Sequence, residues 1–444
     1  MKNKYDLIFV GFGPSTIFGV LELIDKGYNK DILIIEKGKP IENREQTDVI
    51  NGVGGSGLFS DSKLSSALDV GGIIPNLTQE QLNKYENLIL NNINKFKKLT
   101  SDKKSLEWDT TKDFDTSETS LEWNRHKTCH VGTDSGHKIY YEIEKFIESQ
   151  PNIDVLTETE VNDILYKNRL YNIFTTKGAF ASEKLILATG QKNTLPIRII
   201  NQFKLPSTFR AFQLGIRVVD IMNPQYEDII KSNYDFKFVK NYSYNNVKVR
   251  VRTFCCNSGN AHVCAEKTNE GFTCFNGHAY KTSDPNNNSV NYGIICEIDG
   301  LEKYHSKESQ IELMKKINNI DTWYDDNFYN DDKLEEDLVL PKRKLLDGFD
   351  FLKGYYPEEA IKSLTDFVLE LNKIVDLSKA HFLYPEVKLS GEIPNLNYKT
   401  FETKLKNLYM IGDCAISRGI VKSGLTGIML ADGLMGEEND IRNI

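Results

Sequence analysis

The 444-residue chain has no run of eighteen apolar residues, so no membrane-spanning helix and no membrane association are expected. Its first apolar stretch, "DLIFVGFG", is short and glycine-bounded, unlike a signal peptide. Cysteine is sparse: seven residues (129, 255, 256, 264, 274, 296 and 414), odd in number and without C-x-x-C spacing. That excludes a secreted disulfide framework and fits a reduced, cytoplasmic chain. The histidines and cysteines fall into no ligand spacing, so no metal is expected. Basic residues are outnumbered, 55 Lys and Arg against 63 Asp and Glu. No broad positive field is available for nucleic acid. Neither a G-x-S-x-G elbow nor a G-K-[S/T] phosphate loop occurs, which argues against hydrolase and P-loop chemistry. What remains is a globular composition, 40% hydrophobic and 11% aromatic, long enough for two domains.

The first positive signal lies at the N-terminus. Residues 5–36 read as a buried strand, a glycine turn at Gly11 and Gly13, a helix opened by Pro14 and Ser15, and a second buried strand ending in Glu36 and Lys37. Gly11 permits a tight turn, and Gly13 lets backbone approach a pyrophosphate at a helix N-terminus. Glu36 is placed to accept hydrogen bonds from an adenosine ribose, and an acid there disfavours a 2′-phosphate. Thr16 stands where a third glycine is usual, which loosens the motif.

A second glycine cluster, "NGVGGSGLFSDSKLSS" over 51–66, also satisfies G-x-G-x-x-G. No long apolar strand precedes it and no acid-tipped strand follows. We read Gly54, Gly55, Ser56 and Gly57 as a loop serving the ligand of the first loop, with Lys63 placing a cation beside it. Two further strands end in small residues: "SEKLILATGQ" closes on Ala188, Thr189 and Gly190, and "LYMIGD" on Gly412 and Asp413. A small-residue helix follows the second, its start at Gly419, Ile420 and Val421 facing the ligand and favouring negative charge there.

Together G-F-G-P, Glu36, A-T-G at 188–190 and G-D at 412–413 resemble the two-domain flavoproteins of the glutathione-reductase-like superfamily. "GGSGLFSDSKL", "HVGTD", "FQLGIRV", "VRTFCC" and "RGIVKSGLTGI" narrow the resemblance to the FAD-dependent dehydrogenases, over roughly 5–436. The resemblance implies FAD held by Gly11, Gly13, Glu36, the 54–57 loop, Asp413 and the 419–421 turn. Thr16, Ser62 in place of the glycine of S-D-G-K-L, and "FCCNSGN" depart from the family pattern.

The expected fold is α/β: a Rossmann-like FAD-binding domain with a mostly parallel sheet (1–200 and 378–444) and a mixed α+β substrate or capping domain (201–377). Residues 75–127 form an irregular excursion, of which 98–127 are a candidate lid. In the middle domain "YNNVKVRVRTFCCNSGNAHVCAE", "GFTCFNGHAYKT" and "NYGIICEI" read as strands, 306–320 and 357–376 as helices, and "TSDPNNNS" as a loop tip. Cys255, Cys256 and His130 are the candidate catalytic groups, though adjacent strand residues point to opposite faces, so at most one cysteine reaches the cavity. The "NSGN" turn is a candidate source of N–H donors for a substrate carboxylate. Arg210, Arg217 and Arg252 are candidate anion clamps, and His262 and His278 candidate acid–base groups. The leading function is an FAD-dependent oxidoreductase moving hydride between flavin N5 and a small, anionic substrate, with NAD(P)H a candidate transient donor. A flavin-dependent RNA-modifying enzyme and a non-enzymatic flavin-binding protein are the alternatives. Substrate, acceptor and oligomeric state leave no mark in the sequence.

Overall fold

The computed structural model describes the chain except residues 46–47, 49, 110, 191–193, 210–211, 268–272, 281–287, 302–308, 310–311, 314, 317–348, 350–351, 389–391 and 443–444. Along the chain run β1 (Lys4–Val10), α1 (Pro14–Asp25), β2 (Ile32–Ile35), α2 (Gly55–Ser60), β3 (Leu64–Ser66), α3 (Gln79–Lys97), β4 (Glu122–Trp123), β5 (Lys127–Cys129) and α4 (Thr133–Glu148). Next come β6 (Ile153–Leu156), β7 (Val161–Lys167), β8 (Leu170–Thr175), β9 (Gly178–Leu187), α5 (Leu195–Gln202), β10 (Ser207–Phe209), β11 (Phe212–Ile221) and α6 (Pro224–Ser232). The remainder is β12 (Phe238–Tyr244), β13 (Val247–Ser258), β14 (Ala261–Lys267), β15 (Thr273–Ala279), β16 (Ser289–Asp299), α7 (Glu358–Leu371), β17 (His381–Lys388), β18 (Glu392–Pro394), β19 (Leu408–Met410) and α8 (Ile420–Arg442).

Two compact units emerge. The first comprises residues 1–108, 129–208 and 391–444, the second residues 109–128 and 209–390. In the first, β6, β2, β1 and β9 lie side by side and parallel. The amino-terminal half of β9 also pairs antiparallel with β8, which pairs with β7, while its carboxyl-terminal half pairs parallel with β19. The continuous apolar runs of β1 and β2 follow from burial on both faces. Leu7 and Phe9 enter a core with residues of α1, α3, α4 and α8, whereas Ile8 and Val10 enter one with residues of α5, β7 and β8. α1 and α8 touch through their backbones: a Cβ on Gly427 would lie 1.9 Å from the Ser15 carbonyl oxygen, and one on Gly19 3.0 Å from that of Gly427.

The stretch expected to be an irregular excursion contains a regular helix. Thr78 and Gln81 form a reciprocal capping box for α3, and Leu82, Ile89, Ile93 and Phe96 bury one face of it. The polar surface of 79–97 masked this amphipathic spacing.

The second unit is an antiparallel sheet in the order β17-β11-β16-β13-β12-β4, with residues of α6 and α7 in its core. β17 belongs to this sheet, although residues from 378 onward are expected in the nucleotide domain. Strands β13, β15 and β16 and helix α7 occur where the sequence predicts strands and a helix. Most of the helix predicted at 306–320, and the 282–287 loop tip, lie outside the described residues. No helix among the described residues is long and apolar enough to cross a membrane.

Candidate functional site

In the first unit the chain leaves β1 towards β2 on one side and reappears at β9 on the other. Such a reversal opens a crevice beyond the carboxyl ends of the strands. The residues following these ends are Gly11 after β1, Glu36 after β2, Ala188 after β9 and, one residue beyond β19, Gly412. Backbone bonds hold the ends in register: Gly11 N–H to Ile35 O at 2.7 Å, Ala188 N–H to Val10 O at 2.8 Å and Ile411 N–H to Leu187 O at 3.0 Å. Gly11 has φ +104°, and a Cβ there would sit 2.4 Å from the Ala188 oxygen, so both conformation and packing demand glycine. The Thr16 departure has a local rationale. Its hydroxyl donates to the Gly11 carbonyl at 2.7 Å, supplying by hydrogen bond some of the tightness a glycine supplies by contact.

The second glycine loop docks on the first. The Gly54 N–H donates to Phe12 O at 2.8 Å. A Cβ on Gly55 would meet Pro14 Cδ at 3.1 Å and Gly13 Cα at 3.3 Å. One on Gly57 would meet Ile420 Cγ1, at the start of α8, at 3.3 Å. The two G-x-G-x-x-G matches therefore build one site. Beyond the loop Ser62 sits at φ +52°, a left-handed conformation that explains why glycine suits this position in S-D-G-K-L.

Glu36 holds these turns together. Its carboxylate accepts from the N–H groups of Phe12 (2.8 Å), Gly38 (2.8 Å) and Gly52 (3.0 Å). A carboxylate has about four acceptor positions, so one remains for a ribose hydroxyl. The expected ribose ligand is thus mainly a structural hub. Two other expectations change. Lys37 pairs with Glu160 at 2.9 Å on the surface. Lys63 is a buried partner of Asp61 at 3.2 Å, so its charge is compensated. Asp61 also lies 3.0 Å from His130 Nε2. Burial acts to raise the Asp61 carboxyl, but Lys63 and His130 outweigh it and hold it below its ordinary range. Asp413 faces Arg418 Nε at 3.6 Å, and Ser15 packs under Gly412.

Several features fit a dinucleotide in the crevice. Among the described residues, a Cβ at Gly190 or Gly419 would meet nothing within 4 Å, and at Gly13 nothing nearer than 3.9 Å, so backbone there is open to a ligand. Among the described residues, the hydroxyls of Thr189 and Ser417 are buried without a hydrogen-bond partner, beside Gly190 and Gly419 respectively. Such orphaned groups cost about 1–3 kcal/mol unless something supplies a partner. Sequence reasoning missed Asp61 and Arg44. The Arg44 guanidinium reaches the carbonyls of Asp48, Val53 and Gly55, and nothing in "IENREQ" marks it.

The other candidates sit in the second unit. Cys255 lies at a bulge of β13 with φ +50°, its thiol 3.7 Å from Gly277 O. Cys256 is fully buried, its thiol donating to Phe236 O at 3.1 Å, which makes it a core residue rather than a catalytic one. Arg217 is not a waiting anion clamp: it is buried against Glu386 (3.2 Å) and Asn291 (2.9 Å). Arg252 pairs with Glu297 at 3.1 Å, and Arg210 lies outside the described residues. His262 and His278 stack with centroids 5.5 Å apart. Two of the "NSGN" donors are engaged, Ser258 N–H with the Tyr234 hydroxyl and Gly259 N–H with Ser289 O.

No family model matches the chain. An uncharacterised protein of Clostridium beijerinckii is 22% identical over 478 residues, covering 96% of this chain and 80% of the relative. Among solved structures, glycine oxidase from Geobacillus kaustophilus is 13% identical with a TM-score of 0.44, covering 97% of this chain and 94% of that one. CtdE in complex with FAD and a substrate is 9% identical with a TM-score of 0.42, covering 98% and 84%. PqsL of Pseudomonas aeruginosa, described as a probable FAD-dependent monooxygenase, is 11% identical with a TM-score of 0.42, covering 99% and 88%.

Proposed function

We propose that the protein is an FAD-dependent oxidoreductase of a reduced cytoplasm, acting on a small anionic substrate. The observation that carries this reading is the union of two glycine loops into one crevice, through the Gly54–Phe12 hydrogen bond and the Glu36 carboxylate. A site of this kind suits one long dinucleotide better than two separate nucleotides. Bound FAD would supply hydride chemistry at flavin N5, with the substrate as donor or acceptor and NAD(P)H as a candidate transient reductant. The Gly11–Gly13 turn and the 54–57 loop bind the diphosphate, Glu36 orients the adenosine ribose with its remaining acceptor position, and Asp413 takes a ribityl or ribose hydroxyl. Thr189 and Ser417 donate their orphaned hydroxyls to the ligand. His130 is the candidate proton carrier. Its Nε2 lies 3.0 Å from the Asp61 carboxylate, which orients the ring.

The test is the visible spectrum of the purified protein, before and after incubation with FAD and gel filtration. Retained oxidised-flavin bands are the expected result. A protein that retains no flavin after saturation with FAD sinks this reading. Anaerobic mixing with NADH and with NADPH then separates a nicotinamide-fed reductase, whose bands bleach, from an enzyme fed by an organic donor, whose bands persist.

A further inference from the structure

Arg44 is 5% exposed and lies on no strand or long helix, yet its guanidinium makes three hydrogen bonds to backbone. One terminal nitrogen donates to Val53 O at 2.7 Å and Gly55 O at 3.1 Å, the other to Asp48 O at 2.5 Å. The chain makes room for it. Gly52 has φ +123°, and a Cβ there would lie 2.7 Å from both Arg44 Cδ and Nε. Burying a guanidinium is costly, and burial lowers its pKa to about 10 against the attraction of Glu36, Asp48 and Glu144. A surface loop needs no such investment.

The direction of the bonds gives the reason. In a trans peptide the C=O and N–H point to opposite sides. A guanidinium that draws in the carbonyls of Val53 and Gly55 therefore turns the N–H groups of Gly54 and Ser56 the other way. Gly54 shows this directly, since its N–H reaches Phe12 O of the first loop. We propose that Arg44 is the positioning residue of the dinucleotide site, holding carbonyls inward so that the second glycine loop docks on the first through the Gly54 N–H and turns the Ser56 N–H to the diphosphate. It touches no ligand itself. Lysine, a compact ammonium whose three donors share one nitrogen, cannot span the fan of three bonds made by two guanidinium nitrogens. The inference rests on the FAD reading, which its test can fail separately.

The experiment is equilibrium binding of FAD, ADP and adenosine to apoprotein, with thermal melting, for wild type, Arg44→Ala and Arg44→Lys. The expected result is a loss of tenfold or more in FAD and ADP affinity in R44A, an intermediate loss in R44K, and unchanged adenosine binding. Millimolar guanidinium ion should restore ADP binding to R44A by refilling the site. Equal ADP affinity in R44A and wild type overturns the proposal. So does a parallel loss for ADP and adenosine accompanied by a fall in melting temperature, which marks a merely structural arginine. Should R44A not fold, R44K decides: a selective loss of ADP supports the proposal, and wild-type affinity overturns it. Wild-type protein that binds ADP but not FAD refutes the flavin reading while leaving the Arg44 comparison intact. Wild-type protein that binds neither refutes both.

Discussion

At the scale of single residues, the site depends on groups whose partners are backbone rather than ligand. Glu36 gathers three N–H groups, and hydrogen bonds to a charged group contribute about 1.5–3 kcal/mol each. Glu36→Gln removes the charge and replaces one acceptor oxygen by a donor. It should lower apoprotein stability by about 2–4 kcal/mol in denaturant titration and weaken FAD binding with it. Unchanged stability would show that the three bonds are not a hub. Thr16→Val keeps shape but deletes the hydroxyl that serves Gly11. A loss of about 1 kcal/mol is expected, and calorimetry can resolve it.

The same scale shows what the sequence could and could not disclose. Gly11, Gly13 and Glu36 were legible because a buried strand, a turn and an amphipathic helix each leave a periodic trace. Arg44 was not, because its partners are carbonyls in irregular chain, where no periodicity exists. Arg217 misleads for a related reason. Its partner Glu386 is 169 positions away, on a strand whose pairing with β11 the local pattern does not announce. The left-handed bulge at Cys255 likewise comes from register with β16, not from the Cys-Cys pair itself.

At the scale of elements, α4 fastens the turn that carries Arg44. Glu144 accepts from Ile41 N–H at 3.0 Å, and His137 Nε2 lies 3.0 Å from Ile41 O. Burial pushes the Glu144 carboxyl up to about 7 from its ordinary 4.5. A carboxyl with a raised folded pKa binds more protons in the native state. Its contribution to stability is therefore present in acid and lost as pH rises from 4.5 through about 7, levelling off above. Glu144→Gln should be more stable than wild type at pH 8, with the difference shrinking as pH falls and vanishing below about pH 4.5. Melting curves across this range that run parallel would refute the assignment. The α1–α8 contact is a second element-scale feature. Gly427→Ala would place a methyl 1.9 Å from the Ser15 carbonyl oxygen, and a loss of about 3 kcal/mol or a failure to fold is expected on expression and melting.

For the whole molecule, the two units differ in kind: a mostly parallel sheet with a crevice at its strand ends, and an antiparallel sheet whose buried polar residues pair with one another. The parallel architecture was readable from apolar runs and glycine turns. The boundaries were not, because β17 follows a helix of the second unit and its own pattern names no partner sheet. Ligand linkage gives a test at this scale. FAD at a free concentration 100 times its dissociation constant should raise the stability of the folded protein by about 2.7 kcal/mol. A melting temperature that rises with FAD concentration and does not respond to riboflavin alone is the expected signature.

The position of β19 in the sheet has a consequence for how the protein is made. Gly412 and the start of α8 complete a crevice begun at Gly11, about 400 residues earlier. At about 5–20 residues per second, a ribosome needs roughly 20–80 s to pass from one to the other. A nascent chain can form the first glycine turn early, but its cofactor cradle closes only when α8 emerges. Flavin capture is then a late event, separated from the first glycine turn by hundreds of residues of synthesis.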